Sequence, residues 1–353
     1  MCYQATGKNQ AYIDMNKRDI SLDIVRITAC LMVVFMHSPI PSDGASGVFL
    51  SSLSYFTAPC IGLFFMVSGA LLLPVREGYV GFIKKRFGKI IIPTILWSLI
   101  YIGLRLYDSE SEINVFQTLV SIPFAAQGEG VLWFMYTLAG LYLLAPILSA
   151  WVERATQTEL RIVLSLWCVT LCYPLLSFYV IPNVSTTGIL YYFTGYVGYF
   201  LLGFYLKKYP HSLSAGIAWG VTLCGIALLL ALKQFDITFD FYSLFWYESI
   251  FISALAVAIW KTIRMIGFRK RTSVIVKISN LSFGVYLIHI LIMRHWLWHQ
   301  DWIKGITNYP MQCITVAILT FLLSVFLCWL ISLLPYSQWL IGYHDMRKKV
   351  SNN

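Results

Sequence analysis

The sequence predicts an all-α integral membrane protein with about ten transmembrane helices and both termini in the cytosol. Three observations carry that expectation. Of 353 residues, 58% are hydrophobic and 12% charged, whereas soluble domains run at about 45–50% apolar and about 25% charged. Apolar stretches of membrane-crossing length recur from residue 21 to residue 332. Between alternate stretches the chain gathers most of its Lys and Arg.

A bilayer core takes about 20 mostly apolar residues per helix. The first such stretch, 21–38, carries Arg26 and His37; the second, 54–73, stops at Pro74. The third, 91–107, leaves a basic run and contains Pro93, and the fourth, 131–151, contains Pro146. The fifth, 160–180, holds Pro174, and the sixth, 188–206, ends at Lys207 and Lys208. Prolines near helix ends are tolerated in membranes. The seventh, 212–232, has Gly216 and Gly220 in GxxxG spacing, which predicts close helix packing. The eighth, 242–260, carries Glu248; the ninth, 279–298, and the tenth, 311–332, complete the set.

Charge orients these spans. With a cytosolic N-terminus, the inner segments are the N-tail, 74–89, 152–161, 207–211, 261–277 and the C-tail. They hold 21 of the 26 Lys and Arg residues, which is the positive-inside pattern. The net charge of +10 is thus topological, and no nucleic-acid partner is expected. The first twenty residues lack an apolar core and read as a cytosolic tail rather than a signal peptide. The expected division is a tail at 1–20, a ten-helix membrane domain at 21–335 and a second cytosolic tail at 336–353. Among the eight cysteines, Cys30, Cys60, Cys168, Cys172, Cys224 and Cys328 lie in apolar stretches. Without CxxC or metal-type spacing they read as small core hydrophobes, and no metal is expected.

Ionisable groups within spans are costly and mark candidate function. Arg26 and His37 are eleven residues apart, which at about 100° per residue closes to within about 20° of three full turns. One helix face then carries a cation near the cytosol and an imidazole roughly 16 Å further along. That arrangement suits a cosubstrate entering from the cytosol, with Arg26 holding an anionic or carbonyl group and neutral His37 accepting a hydroxyl proton. The bland alternative pairs Arg26 with Asp23 and leaves His37 at the interface. Ser282, Tyr286 and His289 share a face by i, i+4, i+7 spacing and form either a cavity stripe or interhelical hydrogen bonds. Glu248 requires a partner or a wet cavity. His295 and His299 sit among Trp296, Trp298 and Trp302, an aromatic belt at the membrane surface. Arg76, Lys84, Lys85, Arg86 and Lys89 cluster in 74–89, either as phosphate ligands or as ordinary inner charge.

These pieces, in this order, resemble the membrane-bound acyltransferase family 3, which O-acylates bacterial cell-surface carbohydrates. SLDIVRITACLMVVFMHS resembles the family's opening motif with its Arg-x10-His pair at Arg26 and His37. FFMVSGALLL at 64–73, FIKKRFGKIIIP at 82–93, LWFMYTLAGLYLLAP at 132–146 and ISNLSFGVYLIHILI at 278–292 are similar to later segments. The resemblance implies a multi-pass protein of the bacterial inner membrane, in contact with lipid. It implies acetyl-coenzyme A as acyl donor and a hydroxyl of a carbohydrate or lipid-linked glycan as acceptor. Arg26 and His37 would be catalytic; Arg86, Lys89, Lys85 and Ser68 would serve the donor; Trp133, Tyr136, Glu248, Tyr286 and His289 would line the substrate cavity. Lys89 stands where the family's Arg-x-x-Arg pattern has its second Arg, so bidentate phosphate binding is lost there. Trp133-Phe134-Met135-Tyr136 replaces the Trp-Ser-Leu-Ser-Val-Glu stretch of the O-antigen branch. The chain is closer to the stand-alone branch that includes the enterobacterial common antigen O-acetyltransferase. The alternative is a transporter or exporter of a glycan or small polar solute. Transporters often show inverted repeats, and residues 1–176 and 177–353 do not repeat one another.

Overall fold

The computed structural model describes residues 18–41, 47–107, 114–126, 130–179, 188–267 and 273–344. Most of the expected N-terminal tail, half of the C-terminal one, and Arg269, Lys270 and Arg271 of the inner segment 261–277 lie outside the described residues. Within them the chain is all-helical. In chain order the helices are α1 (Ile20–His37), α2 (Gly47–Thr57), α3 (Pro59–Leu72), α4 (Tyr79–Tyr107), α5 (Val115–Ser121), α6 (Trp133–Val152), α7 (Gln157–Thr170) and α8 (Tyr173–Tyr179). There follow α9 (Val197–Lys208), α10 (Ala215–Gln234), α11 (Phe241–Leu244), α12 (Ile250–Ile266), α13 (Ser273–His295), α14 (Asp301–Lys304), α15 (Tyr309–Ser332) and α16 (Gln338–Ile341).

Among the described residues, eight helical stretches are long and apolar enough to cross a membrane: Ile20–His37, Phe49–Leu72, Tyr79–Tyr107, Gly130–Val152, Gln157–Ser177, Ala215–Gln234, Ser273–His299 and Tyr309–Ser332. The expected spans 188–206 and 242–260 fall instead on α9 and α12. The 12 residues of α9 reach about 18 Å, short of a hydrocarbon core of about 30 Å. Gly195, at φ 89°, is in a left-handed conformation that a helix cannot run through, so α9 starts after it. Ser249 ends the other delay: its side chain accepts from the Phe251 amide as an N-cap, and α12 begins at residue 250 rather than 242.

α9 compensates for its length with burial, every residue from Gly198 to Leu206 being enclosed. Glycines make this possible. A Cβ on Gly203 would stand 1.8 Å from the Met66 carbonyl oxygen, and one on Gly69 would stand 1.8 Å from that of Phe200. The backbones of α3 and α9 therefore touch where no other residue would fit. Gly216 and Gly220 do not play the packing part their GxxxG spacing predicts. A Cβ on Gly220 meets nothing within 4 Å, and one on Gly216 meets only Ser214 of its own cap. That face of α10 is turned to the open exterior, because α10 packs on α12 through Ala218, Thr222 and Gly225, where Phe251 comes close.

α1 runs through the middle, packed against α3, α13 and α15. Polar ties gather several helix ends on one side. Lys207 donates to the Ala70 carbonyl at 2.7 Å, Arg264 pairs with Asp19 at 2.8 Å, Val75 N–H donates to Ser149 at 2.8 Å and Arg161 to the Tyr205 hydroxyl at 2.9 Å. These ties bring the described parts of the basic inner segments together. His37 sits at the opposite end of α1, near where Tyr309 donates to the Ile40 carbonyl at 3.0 Å.

Past the expected domain boundary at 335 the chain remains folded. Trp97 Nε1 donates to the Leu340 carbonyl at 2.9 Å, and Ile341 is fully buried over Gly284. Gly342, at φ 67°, then turns the chain back so that Tyr343 faces the interior of the bundle.

Candidate functional site

On the basic side a cavity of about 270 Å³ opens into the bundle. α1 supplies Arg26, α3 Ser68 and Phe64, α4 Arg86 and Lys89, α6 Phe134 and Tyr142, α13 Asn280, Ser282 and Tyr286, and the hook after α16 closes it with Tyr343. Arg26, expected to be catalytic, thus converges with three residues expected to serve the donor: Ser68, Arg86 and Lys89.

Arg26 is half-buried and has no ion pair among the described residues. The bland alternative of an Arg26–Asp23 pair is not what forms. The Asp23 carboxylate is occupied by Arg18, through two hydrogen bonds of 2.7 Å, and by the Ser279 hydroxyl at 2.7 Å. Arg18 also donates to Asn280 at 2.8 Å. This cluster fixes the start of α1 against α13 and leaves the Arg26 guanidinium to the cavity. Tyr142 lies beside Ser68, within electrostatic range of both Arg26 and Arg86.

Lys85, expected to serve the donor, is placed apart from Arg26, Ser68, Arg86 and Lys89. It points outward to pair with Glu77, does not line the cavity, and by that contact holds the exposed Glu77 carboxyl below the usual carboxylate range. Helical geometry explains the split. Arg86 and Lys89, at i and i+3, share a face of α4, while Lys85 lies about 100° away from Arg86.

The imidazoles lie deeper. His37 Nδ1 is 2.8 Å from the Val33 carbonyl oxygen. A carbonyl only accepts, so Nδ1 carries the proton and Nε2 presents a lone pair. His289 repeats the arrangement with Nδ1 at 2.6 Å from the Tyr286 carbonyl; it is fully buried and its Nε2 has no hydrogen-bond partner among the described residues. The two rings meet edge to face with centroids 5.3 Å apart.

Between cavity and imidazoles stands an aromatic partition. Tyr286 lies 5.3 Å from Phe134 and 5.7 Å from His289, centroid to centroid, and its hydroxyl donates to the Val131 carbonyl. The stripe Ser282, Tyr286, His289 is buried as its spacing predicts, with Ser282 and Tyr286 in the cavity wall and His289 a turn beyond.

Trp133 and Glu248 belong to a separate group. Trp133 is 5.6 Å from both Tyr196 and Tyr247, and Tyr247 donates to the Met36 sulfur at 3.4 Å, next to His37. Glu248, the next residue, is exposed and reaches toward Gly195, where an added Cβ would lie 3.9 Å from its Oε1. Tyr136 takes no part in either group; its hydroxyl donates to the Ile122 carbonyl at 2.6 Å and ties α6 to the segment after α5.

The sequence reading missed Tyr142, Asn280, Tyr247 and Tyr343. Tyr142 had a usable signal, since Met135, Leu138 and Tyr142 share a helix face at i, i+3, i+7 and all line the cavity. Tyr343 had none, because its place depends on a turn at Gly342. Among the described residues no group of His, Cys, Asp or Glu side chains converges as a metal site.

A comparison with curated proteins and one with solved structures find no match. A family model described as an acyltransferase domain matches residues 19–333. The match takes in every helix that lines the cavity and both imidazoles, and by it the chain belongs to the acyltransferase 3 family.

Proposed function

We propose that this membrane acyltransferase moves an acetyl group from cytosolic acetyl-coenzyme A to a hydroxyl of a cell-surface or lipid-linked glycan, in the bacterial inner membrane. The supporting observation is the division of α1: Arg26 lies in the wall of a cavity on the basic side, and His37 lies past the partition with its Nε2 lone pair available. The basic side faces the cytosol under the positive-inside rule, which puts both termini there. In this topology α9 and α12, with the segments leading into them, complete ten crossings.

The donor's acyl-pantetheine arm enters the first cavity, where Arg26 holds a carbonyl or anionic group, with Ser68 and Tyr142 beside it. The acyl carbon is delivered at the Tyr286–Phe134 partition. On the far side, His37 Nε2 removes the proton from an acceptor hydroxyl as the oxygen attacks the thioester carbon. The carbon–oxygen bond forms, the carbon–sulfur bond breaks, and the leaving thiolate takes up a proton. Holding both reactants in fixed alignment supplies much of the rate. Trp133, Tyr196 and Tyr247, with exposed Glu248, form an aromatic and acidic surface suited to a sugar.

The test is detergent-purified protein, wild type and His37→Ala, with radiolabelled acetyl-coenzyme A. The expected result is slow thioester loss with wild type alone and equal donor binding by both. Turnover undiminished in His37→Ala would remove His37 from the chemistry.

A further inference from the structure

A second cavity, of about 280 Å³, lies across Arg86 from the first. Its wall is the turn after α3, residues 71–77, with Phe82 and Arg86 of α4 and Lys207 at the end of α9. Arg86 lines both cavities. Its guanidinium stands 6.0 Å from the centre of the Phe82 ring, and its Nε is buried with no hydrogen-bond partner among the described residues.

Cations outnumber carboxylates at this mouth, where Glu77 is also part of the wall. Arg76, Arg86 and Lys207 all line the second cavity, and Arg76 and Arg264 lie in electrostatic range of Lys207. The neighbouring carboxylates are engaged, Glu77 by Lys85 and Asp19 by Arg264. Lys207 gives one hydrogen bond to the Ala70 carbonyl and has two further donors. Beside the cations runs an apolar ledge, Leu71, Leu72, Leu73, Pro74 and Val75. Cations over an apolar ledge match a phosphorylated ligand with a flat apolar body, in which charge-assisted contacts hold the phosphates.

We propose that the second cavity is the phosphate subsite of the acyl donor. The phosphorylated adenosine end sits against Arg76, Arg86 and Lys207, and the pantetheine arm turns past Arg86 into the first cavity toward Arg26. The proposal rests on the coenzyme A reading above and adds Arg76 and Lys207 to the donor site. An anionic lipid headgroup offers the same phosphate chemistry, so the test separates the two sources.

Binding of coenzyme A, of dephospho-coenzyme A lacking the 3′-phosphate, and of pantetheine is measured on detergent-purified wild type, Arg76→Ala and Lys207→Gln. Melting midpoints are recorded for each; Arg76 is exposed, so its variant carries the test even if Lys207→Gln misfolds. The expected result is coenzyme A binding weakened about tenfold per variant, pantetheine binding unchanged, and a smaller preference for coenzyme A over pantetheine. Undiminished coenzyme A binding in folded Arg76→Ala and Lys207→Gln overturns the subsite and leaves the proposed function standing. Loss of phosphatidylglycerol retention by the variants in nanodiscs, with coenzyme A binding intact, overturns it in favour of a lipid. Wild type that binds none of the three ligands sinks the coenzyme A reading and the subsite with it.

Discussion

His37 and His289 face each other edge to face at 5.3 Å, and in each ring the proton is held on Nδ1 by a carbonyl one turn back on its own helix. Two helices distant in sequence thus present two lone pairs to one small volume. The His289 Nε2 has no hydrogen-bond partner among the described residues, which suits a group that receives a hydrogen bond only when a substrate hydroxyl is present. His289→Phe keeps the ring and removes that acceptor. The expected outcome is a fall of about 100-fold in acyl transfer with donor binding unchanged, measured as turnover against equilibrium binding.

Tyr286 separates the basic-side cavity from the imidazoles. In Tyr286→Ala the partition is lost and water gains the donor's thioester. Thioester hydrolysis without acceptor should rise several-fold, while transfer to acceptor falls; the ratio of the two products in one assay checks this. Tyr286→Phe keeps the partition but leaves the Val131 carbonyl without its donor, at a cost of about 1–3 kcal/mol, read as a lower melting midpoint.

The α3–α9 contact has no room for a methyl group. Gly203→Ala and Gly69→Ala each drive a Cβ onto a backbone oxygen, a clash of about 3 kcal/mol or more, and should abolish recovery of folded protein. Gly220→Ala points into open space and should leave the melting midpoint unchanged or raise it, since a helix interior prefers Ala by about 0.5–1 kcal/mol. Size-exclusion profiles of the three variants decide it.

Lys85 and Lys89 share a basic run but face apart. Lys85→Ala breaks an exposed pair with Glu77 and should change donor affinity by less than about twofold, because exposed pairs contribute about 0–1 kcal/mol. Lys89→Ala, in the cavity wall, should weaken it by about fivefold or more. Equal effects would place the donor elsewhere.

Much of this arrangement was legible in the sequence because helices impose a simple rule. The eleven-residue step from Arg26 to His37 fixed one face, and the i, i+4, i+7 stripe on α13 fixed another, so both polar rows could be read before packing was known. The basic run at 74–89 was visible as a cluster, but not which of its members face inward: Arg86 and Lys89 line the cavity and Lys85 does not. The contacts that the sequence hid are those made between helices. Nothing local tells Asp23 to choose Arg18 over Arg26, as the choice depends on Ser279 and Asn280 arriving from α13. Likewise Gly69 and Gly203 carry no mutual signal across 133 intervening positions, whereas the conspicuous Gly216–Gly220 spacing leads nowhere. Hydropathy matched single helices where these were long and did not show that the stretch at α9 is broken at Gly195.

The hook at Gly342 has a consequence for how the protein is made. Synthesis proceeds from the N-terminus, so residue 343 leaves the ribosome after all of α1 to α15. Until then the donor cavity lacks Tyr343, and α4 and α13 lack the α16 clasp between them. A nascent chain that ends before the hook therefore lacks the part of the cavity wall that Gly342 and Tyr343 supply.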